Sequence, residues 1–234
     1  MSDCKLKHIA FIMDGNRRWA AKHKVSAISG HKKGAEILIE IAKAVRDSGI
    51  RYMTVYAFST ENWARPQEEV DGLMNLLRRY LAEGFQELQK ENVRIIFIGE
   101  RYMLASDITA EMAKIERQTK DNRELTLCVA LSYGARQEIV SAVRRMAQEV
   151  KSGILEPKDI DMAKISDNLY TKDIPDPDLI VRTSGEQRLS NYLLWQSAYS
   201  ELYFSETLWP DFSADELKQI VEMFNKRERR YGKS

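Results

Sequence analysis

Apolar residues along this chain recur in two rhythms that take turns. Short runs rich in β-branched and aromatic residues occupy positions 8–13, 52–58, 93–98, 125–131, 179–182 and 201–204, and each reads as a strand. Between them lie longer stretches in which apolar side chains return every three or four positions, the spacing of one helix face. Residues 35–45 place Ile37, Leu38, Ile41, Ala42 and Val45 together. Residues 73–88 do the same with Leu73, Leu76, Leu77, Tyr80, Leu81, Phe85 and Leu88, and 135–150 and 214–229 repeat the pattern. Strands alternating with helices predict an α/β fold, with a mostly parallel central sheet and helices on both faces. Run 125–131 is apolar without alternation, as a strand buried on both faces requires. The stretches 153–161 and 173–178 read as connections within a single domain, 1–234.

Polar residues crowd just behind the strands. Asp14-Gly15-Asn16 follows the first and Ser59-Thr60-Glu61-Asn62-Trp63 the second. Ser132-Tyr133-Gly134 follows the fourth and Arg182-Thr183-Ser184-Gly185-Glu186 the fifth. In an open parallel sheet these ends share one edge, where ligands bind. The stretch Met13-Asp14-Gly15-Asn16-Arg17-Arg18-Trp19 is the most informative. A carboxylate there can hold a cation, glycine lets the backbone approach a ligand, and two arginines can fork onto phosphate oxygens. The chemistry points to a Mg²⁺-assisted phosphate or diphosphate site. The greasy 73–88 helix has two readings, ordinary core or the wall of an apolar tunnel beside that charged edge. A ligand with a charged head and a long apolar tail requires the second.

Charge narrows the choice. The chain carries 36 basic and 35 acidic side chains, a net charge of +1, so nothing steers it toward nucleic acid as a partner. Any phosphate-binding cationic patch is therefore local. Neither a GxGxxG nor a GxxxxGK[ST] stretch occurs, so the usual dinucleotide and P-loop sites lose their main support. Cys4 and Cys128 sit in unlike contexts and make no metal pattern; Cys128, in a strand-like run, reads as a reduced structural thiol. No apolar run reaches the length of a membrane span, and the N-terminus lacks the apolar core of a secretory leader. The expectation is a cytoplasmic protein, with peripheral contact to the inner membrane face left open.

The same segments resemble the cis-prenyltransferase family, the cis-isoprenyl diphosphate synthases of the bacterial undecaprenyl type. The match runs through 8–19 with Gly30-His31, then Tyr56-Ala57-Phe58-Ser59-Thr60-Glu61-Asn62-Trp63 with Arg65-Pro66. It continues through 178–191 with Leu193-Leu194-Trp195-Gln196, then Glu201-Leu202-Tyr203-Phe204 to Trp209-Pro210-Asp211-Phe212, and closes on 227–232. The DDxxD signature of the all-helical trans enzymes is absent. The resemblance implies a homodimer that condenses isopentenyl diphosphate with an allylic diphosphate, usually farnesyl diphosphate, forming a Z double bond at each step. The bacterial product is undecaprenyl diphosphate, the carrier-lipid precursor for cell-wall glycans.

By the same resemblance, Asp14 is the essential carboxylate and Mg²⁺ ligand. Gly15, Asn16, Arg17, Arg18, Trp19 and His31 receive the allylic substrate. Arg182, Arg188, Leu189 and Ser190 form the isopentenyl diphosphate pocket, and Glu201 is a second metal-linked carboxylate, reaching in from the other subunit. Ser59, Thr60, Glu61 and Asn62 surround the reacting carbons. The family pattern casts Asn62 as proton acceptor; a neutral amide is a poor base, so it reads better as orienting substrate or relaying a proton, with the departing diphosphate as base. Trp63 and Arg65 begin a lid through Pro66-Gln67-Glu68-Glu69. One position departs from the family: Ala27 stands where relatives carry an arginine, and Arg17 is a candidate to replace it. Two rivals stay open, a catalytically silent partner subunit of such an enzyme and a general phosphate-binding α/β protein.

Overall fold

The structure is a computed structural model that describes residues 5–227. Cys4 and residues 228–232 of the closing motif lie outside the described residues. In chain order the elements are β1 (His8–Ile12), α1 (Asn16–Lys22), α2 (Ala27–Asp47), β2 (Tyr52–Ser59), α3 (Gln67–Arg79), α4 (Phe85–Lys90), β3 (Val93–Ile98), α5 (Ser106–Thr119), β4 (Leu125–Tyr133), α6 (Ala135–Lys151), α7 (Met162–Ser166), β5 (Leu179–Arg182), β6 (Glu201–Phe204) and α8 (Ala214–Lys226). The six strands form one sheet in the order β3-β4-β2-β1-β5-β6, and every neighbouring pair is parallel. The chain steps outward from β1 through β2 toward β3 and β4, then crosses back to add β5 and β6 on the other side. The order therefore reverses at β1, the point where a crevice opens at the strand C-termini of such sheets.

Alternation along the strands divides the core into two. Ile9, Phe11, Met53, Val55, Leu127 and Val129 face a large apolar layer completed by α2, α3, α5 and α8. Ala10, Ile12, Cys128, Ala130 and Ile180 face a smaller layer, covered by the start of α6 and by Tyr192, Leu193 and Leu189. All six expected strands are present, and β4 is buried on both faces along nearly its whole length.

Two helical features differ from the periodicity. The 73–88 stretch is not one helix: a π-helical turn, Tyr80–Gly84, separates α3 from α4. A Cβ on Gly84 would meet the Tyr80 ring at 2.4 Å, so glycine makes room for the widened turn, a device common at functional sites. Helix α5 had no counterpart in the pattern, because only Ile108, Met112 and Ile115 carry its buried stripe through a charged segment.

Glycine spacing also fixes how α1 docks. A Cβ on Gly30 would lie 2.2 Å from the Asn16 carbonyl oxygen, and one on Gly34 2.1 Å from Asn16 Oδ1. These two glycines, one turn apart on α2, let the loop after β1 lie directly on the helix. Ser26 caps α2 by accepting from the Ser29 N–H at 3.2 Å, a contact whose loss costs about 1 kcal/mol.

His8 gives the fold a pH dependence. Its ring is buried, with Nδ1 donating to the Pro175 carbonyl at 2.6 Å and Nε2 bonded to the Thr54 hydroxyl at 2.8 Å. Burial lowers its pKa to about 4, against smaller opposing effects of the Pro175 carbonyl and Asp178. The unfolded chain therefore binds the proton more readily than the fold does. Stability is full above the unfolded value near 6.5 and declines as pH falls from there to about 4. Denaturant midpoints measured from pH 7 to pH 4 should fall, and His8→Gln should flatten that slope; an unchanged slope in the variant would contradict the assignment.

Candidate active site

A cavity of about 700 Å³ opens at the C-terminal edge of the sheet, between β1, β2 and β4 below and α2 and α3 above. Its mouth is polar, with Asp14, Asn16, His31, Asn62, Arg65, Arg182 and Ser190. Its inner wall is apolar, with Ala35, Leu38, Ile39, Ala57, Val129 and Leu131. Leu73, Leu76, Leu77, Tyr80 and Phe85 line it from α3, the π turn and α4, so this face is cavity wall, while Leu81 and Leu88 are core.

Two irregularities in neighbouring strands shape the cavity. The pairing of β2 with β4 skips Ala57 and then Ser132. Ser132 takes the left-handed backbone, with φ at 49°. Each strand thus carries one extra residue, and such bulges turn side chains out of the pleat. Ala57 is aimed into the cavity and is exposed there.

Around Asp14 the backbone turns sharply. Gly15 has φ at 110°, a conformation that favours glycine, and its N–H donates to Asp14 Oδ1 at 2.7 Å. Asn16 Nδ2 donates back to the Met13 carbonyl at 3.2 Å, while its buried Oδ1 has no partner. His31 faces the same space, with a buried Nε2 that also has no partner. Burial first, then the positive charges of Arg65 and Arg17, lower its pKa to about 4 against the pull of Glu69. The ring is neutral at pH 7 and offers a hydrogen bond rather than a charge. Arg65 donates to Glu69 at 3.0 Å, and Arg17, 64% exposed, reaches Glu69 at 3.8 Å. Arg17 therefore stands in the Arg65–Glu69–His31 cluster, a neighbourhood consistent with its serving in place of an arginine at Ala27.

A second polar lobe forms where β5 ends. Arg182 is 4% exposed. It donates to Asp14 Oδ2 at 2.8 Å, to the Ser190 hydroxyl at 2.7 Å and to the Arg188 carbonyl at 2.5 Å. The loop it grips is strained: Ser184, Ser190, Asn191 and Leu193 all have positive φ. Backbone of this kind persists only where its surroundings hold it, and it clusters at ligand sites. Arg188 and Arg18 both reach Glu186, and Arg18 also donates to the Ser184 carbonyl at 3.0 Å. Asp14 thus lies at the junction of the two lobes.

The loop after β2 closes the site from the third side. Asn62 Oδ1 accepts from the Ser59 N–H at 3.1 Å, so its carbonyl is committed and its amide NH₂ is the group left to meet a ligand. Thr60 donates to Glu61 at 3.2 Å, and Glu61 accepts from Asn191 Nδ2 at 2.8 Å. Burial pushes the Glu61 carboxyl up, but the hydrogen bonds from Asn191, its own backbone, Ser59 and Thr60 together bring it below the usual range.

Four expected residues sit elsewhere. Trp19 donates to Asp211 at 2.7 Å and stacks on His23 at 4.0 Å, away from the cavity lining. Trp63 donates to Ser132 at 2.8 Å and packs edge-on against Phe58; it supports the bulge rather than facing the cavity. Leu189 packs in the smaller core layer. Glu201 is paired with Leu179 at the N-terminal end of the sheet, whereas Asp14 follows the opposite end. Its carboxylate holds Arg227, so within one chain it stands apart from Asp14, and the expected metal link is one that would run between subunits. Tyr56, Arg136 and Asn191 also line the cavity without having been assigned to the site from sequence. Asn191 had a signal in its polar run after Ser190; Arg136, beginning a charged helix, had none.

Among the described residues no three His, Cys, Asp or Glu side chains gather as a complete metal cage. Asp14 alone fits a different arrangement. Its carboxylate is 32% exposed at the cavity mouth and has lone pairs beyond its two hydrogen bonds. Mg²⁺ commonly takes one or two carboxylates and completes its shell with water and substrate phosphates. A cation arriving with a diphosphate would find a ligand here.

Comparison with known proteins assigns the chain to a family. The family described as putative undecaprenyl diphosphate synthase matches residues 12–232. An isoprenyl transferase of Brucella suis is 50% identical over 226 residues, covering 97% of this chain and 89% of that protein. A ditrans,polycis-undecaprenyl-diphosphate synthase, (2E,6E)-farnesyl-diphosphate specific, of Xanthomonas axonopodis is 46% identical, covering 97% and 88%. Lavandulyl diphosphate synthase from Lavandula x intermedia, solved with dimethylallyl diphosphate, superposes with a TM-score of 0.95 at 33% identity, over 99% of this chain and all of that one. A probable undecaprenyl diphosphate synthase from Campylobacter jejuni gives 0.81 at 34%, over 98% and 99%. With a family match over nearly its whole length and relatives at about half identity, this chain belongs to the undecaprenyl diphosphate synthase family of prenyltransferases.

Proposed function

We propose that the protein elongates farnesyl diphosphate with successive isopentenyl diphosphates, in the presence of Mg²⁺, to a Z-polyprenyl diphosphate of the undecaprenyl class. The observation that carries this reading is two anion-binding lobes meeting at Asp14, at the mouth of one apolar cavity. One lobe (Asn16, His31, Arg65, Arg17) suits the allylic diphosphate and the other (Arg182, Ser190, Arg188) the isopentenyl diphosphate. The hydrocarbon tail lies along α3. Mg²⁺ at Asp14 would supply charge neutralisation for the departing diphosphate.

The residues account for the rest. The C1–oxygen bond of the allylic substrate breaks and its electron pair leaves with the diphosphate, toward donors already fixed in place. The isopentenyl double bond attacks C1, forming the new carbon–carbon bond. A proton leaves C2, and the released diphosphate, held close by, accepts it. Asn62 offers its NH₂ and so orients rather than deprotonates. The lid residues Arg65 and Glu69, joined at 3.0 Å, shield the reacting carbons from water. A silent subunit would have no need of Asp14, Arg182 and Ser190 joined in this way, and a general phosphate-binding protein would have no need of the apolar wall. The homodimer and a peripheral membrane contact belong to the same proposal, supported by the exposure of Leu202 in edge strand β6 and of Tyr199 just before it. No helix among the described residues is long and apolar enough to cross a membrane.

Product analysis after incubation with farnesyl diphosphate, isopentenyl diphosphate and Mg²⁺ tests the reading. A ladder of Z-polyprenyl diphosphates is expected; no isopentenyl diphosphate consumption would overturn it. The tail path has its own test. Ala57 projects into the cavity beside Ala35, so Ala57→Leu should shorten the product or slow late additions, since extra methylenes in a filled channel cost roughly 1–3 kcal/mol. An unchanged product distribution at an unchanged rate would remove Ala57 from the tail path.

A further inference from the structure

We propose that Arg136 is a further binding residue of the Arg182–Ser190 lobe, setting the affinity for the isopentenyl diphosphate. This rests on the functional reading above. Arg136 stands in the first turn of α6 and lines the cavity beside Ser190, Asn191 and Arg182. The other guanidiniums at the mouth are engaged. Arg182 holds Asp14, Ser190 and the Arg188 carbonyl. Arg188 and Arg18 hold Glu186, while Arg65 and Arg17 hold Glu69. Among the described residues, the Arg136 side chain has no hydrogen bond or ion pair. It is a cation facing a built anion pocket, with its donors free.

Its backbone, by contrast, is fixed. The Arg136 N–H donates to Asn191 Oδ1 at 2.9 Å, and the Ala135 N–H donates to the Asn191 carbonyl at 2.8 Å. Asn191 follows Ser190 directly, and both have positive φ. The loop that carries the Ser190 hydroxyl is thereby clamped to the turn that carries Arg136. Glu61, the acid on that side of the cavity, is held by Asn191 Nδ2 at 2.8 Å and has no ion pair with Arg136. A dianionic head seated between Arg182 and Ser190 brings the only partner that this side chain lacks.

Calorimetric titration of the full chain with isopentenyl diphosphate alone, and separately with farnesyl diphosphate, tests the inference without turnover. Arg136→Gln should weaken isopentenyl diphosphate binding about tenfold, the worth of one charge-assisted contact, and leave farnesyl diphosphate binding unchanged. Arg136→Lys should recover part of the loss, since it keeps the charge but not the fork. The melting temperature of both variants should match the parent, because the side chain is exposed and makes no hydrogen bond or ion pair. In steady state, the KM for isopentenyl diphosphate should rise more than kcat falls. Unchanged isopentenyl diphosphate affinity, or equal weakening of both ligands, would overturn the assignment. If the parent binds isopentenyl diphosphate but forms no product, the functional reading fails, while the titrations still decide the role of Arg136. If the parent binds neither, both fail.

Discussion

Asp14→Asn should lower turnover by at least about 10²-fold, the scale of losing one preorganised charge-stabilising group, while the protein stays folded. The carboxylate sits between the two lobes, accepting from the Gly15 N–H at 2.7 Å and from Arg182 at 2.8 Å. An amide of the same shape keeps the first bond through its oxygen. It presents either an NH₂ or the same oxygen to Arg182, and it cannot supply the negative charge a Mg²⁺–diphosphate needs. The stability cost is set by Arg182, which is 4% exposed but still has the Ser190 hydroxyl and the Arg188 carbonyl. Losing one bond to such a group costs about 1–3 kcal/mol. Steady-state kinetics beside a denaturant curve separates the two effects. Parent-like turnover in a folded Asp14→Asn protein would remove Asp14 from the chemistry.

Much of this architecture was legible because periodicity reports burial. Each strand run contains the residues that pair in the sheet except the last pair of β2 and β4, Ser59 with Tyr133, and Ile37, Leu38, Ile41, Ala42 and Val45 are all buried on α2. The clusters after β1, β2 and β5 meet at one edge because parallel strands end together. Three things were not legible, each for a physical reason. The π turn at Tyr80–Gly84 leaves the apolar count of a helix almost unchanged. The paired bulges at Ala57 and Ser132 arise from cross-strand register, which no single run encodes. The positions of Trp19 and Trp63 depend on partners distant in sequence, Asp211 and Ser132. A tryptophan inside a ligand motif can serve the ligand or hold up the loop that does, and its neighbours in sequence do not distinguish the two. Glu201 shows the complementary limit: it lies three register positions from the strand end that Arg182 occupies, a separation that the motif's continuity conceals.

Arg182→Met should be the most damaging single change to activity, yet not the most damaging to the fold. The guanidinium is shared by everything at the junction: it neutralises Asp14, fixes the Ser190 hydroxyl and, through the Arg188 carbonyl, braces a loop with several left-handed residues. Without it the second lobe loses a cation and its scaffold together, so kcat/KM should fall by about 10³-fold or more, the upper range for loss of a preorganised donor. Stability behaves differently because the two partners are not equally buried. Removing Arg182 leaves Asp14, which is 32% exposed and can be rehydrated. Removing the carboxylate by Asp14→Leu leaves a guanidinium that water barely reaches, and an orphaned buried charge is the costly outcome, up to about 3–5 kcal/mol when desolvation is complete. Asp14→Leu should therefore lower the melting temperature more than Arg182→Met does. The double variant should be more stable than the two separate losses add up to, with a coupling of roughly 0.5–3 kcal/mol. Additive melting shifts would mean that the 2.8 Å contact carries no net stability. A larger shift from Arg182→Met would mean that bracing the Ser190 loop, not neutralising Asp14, is what Arg182 chiefly does for the fold.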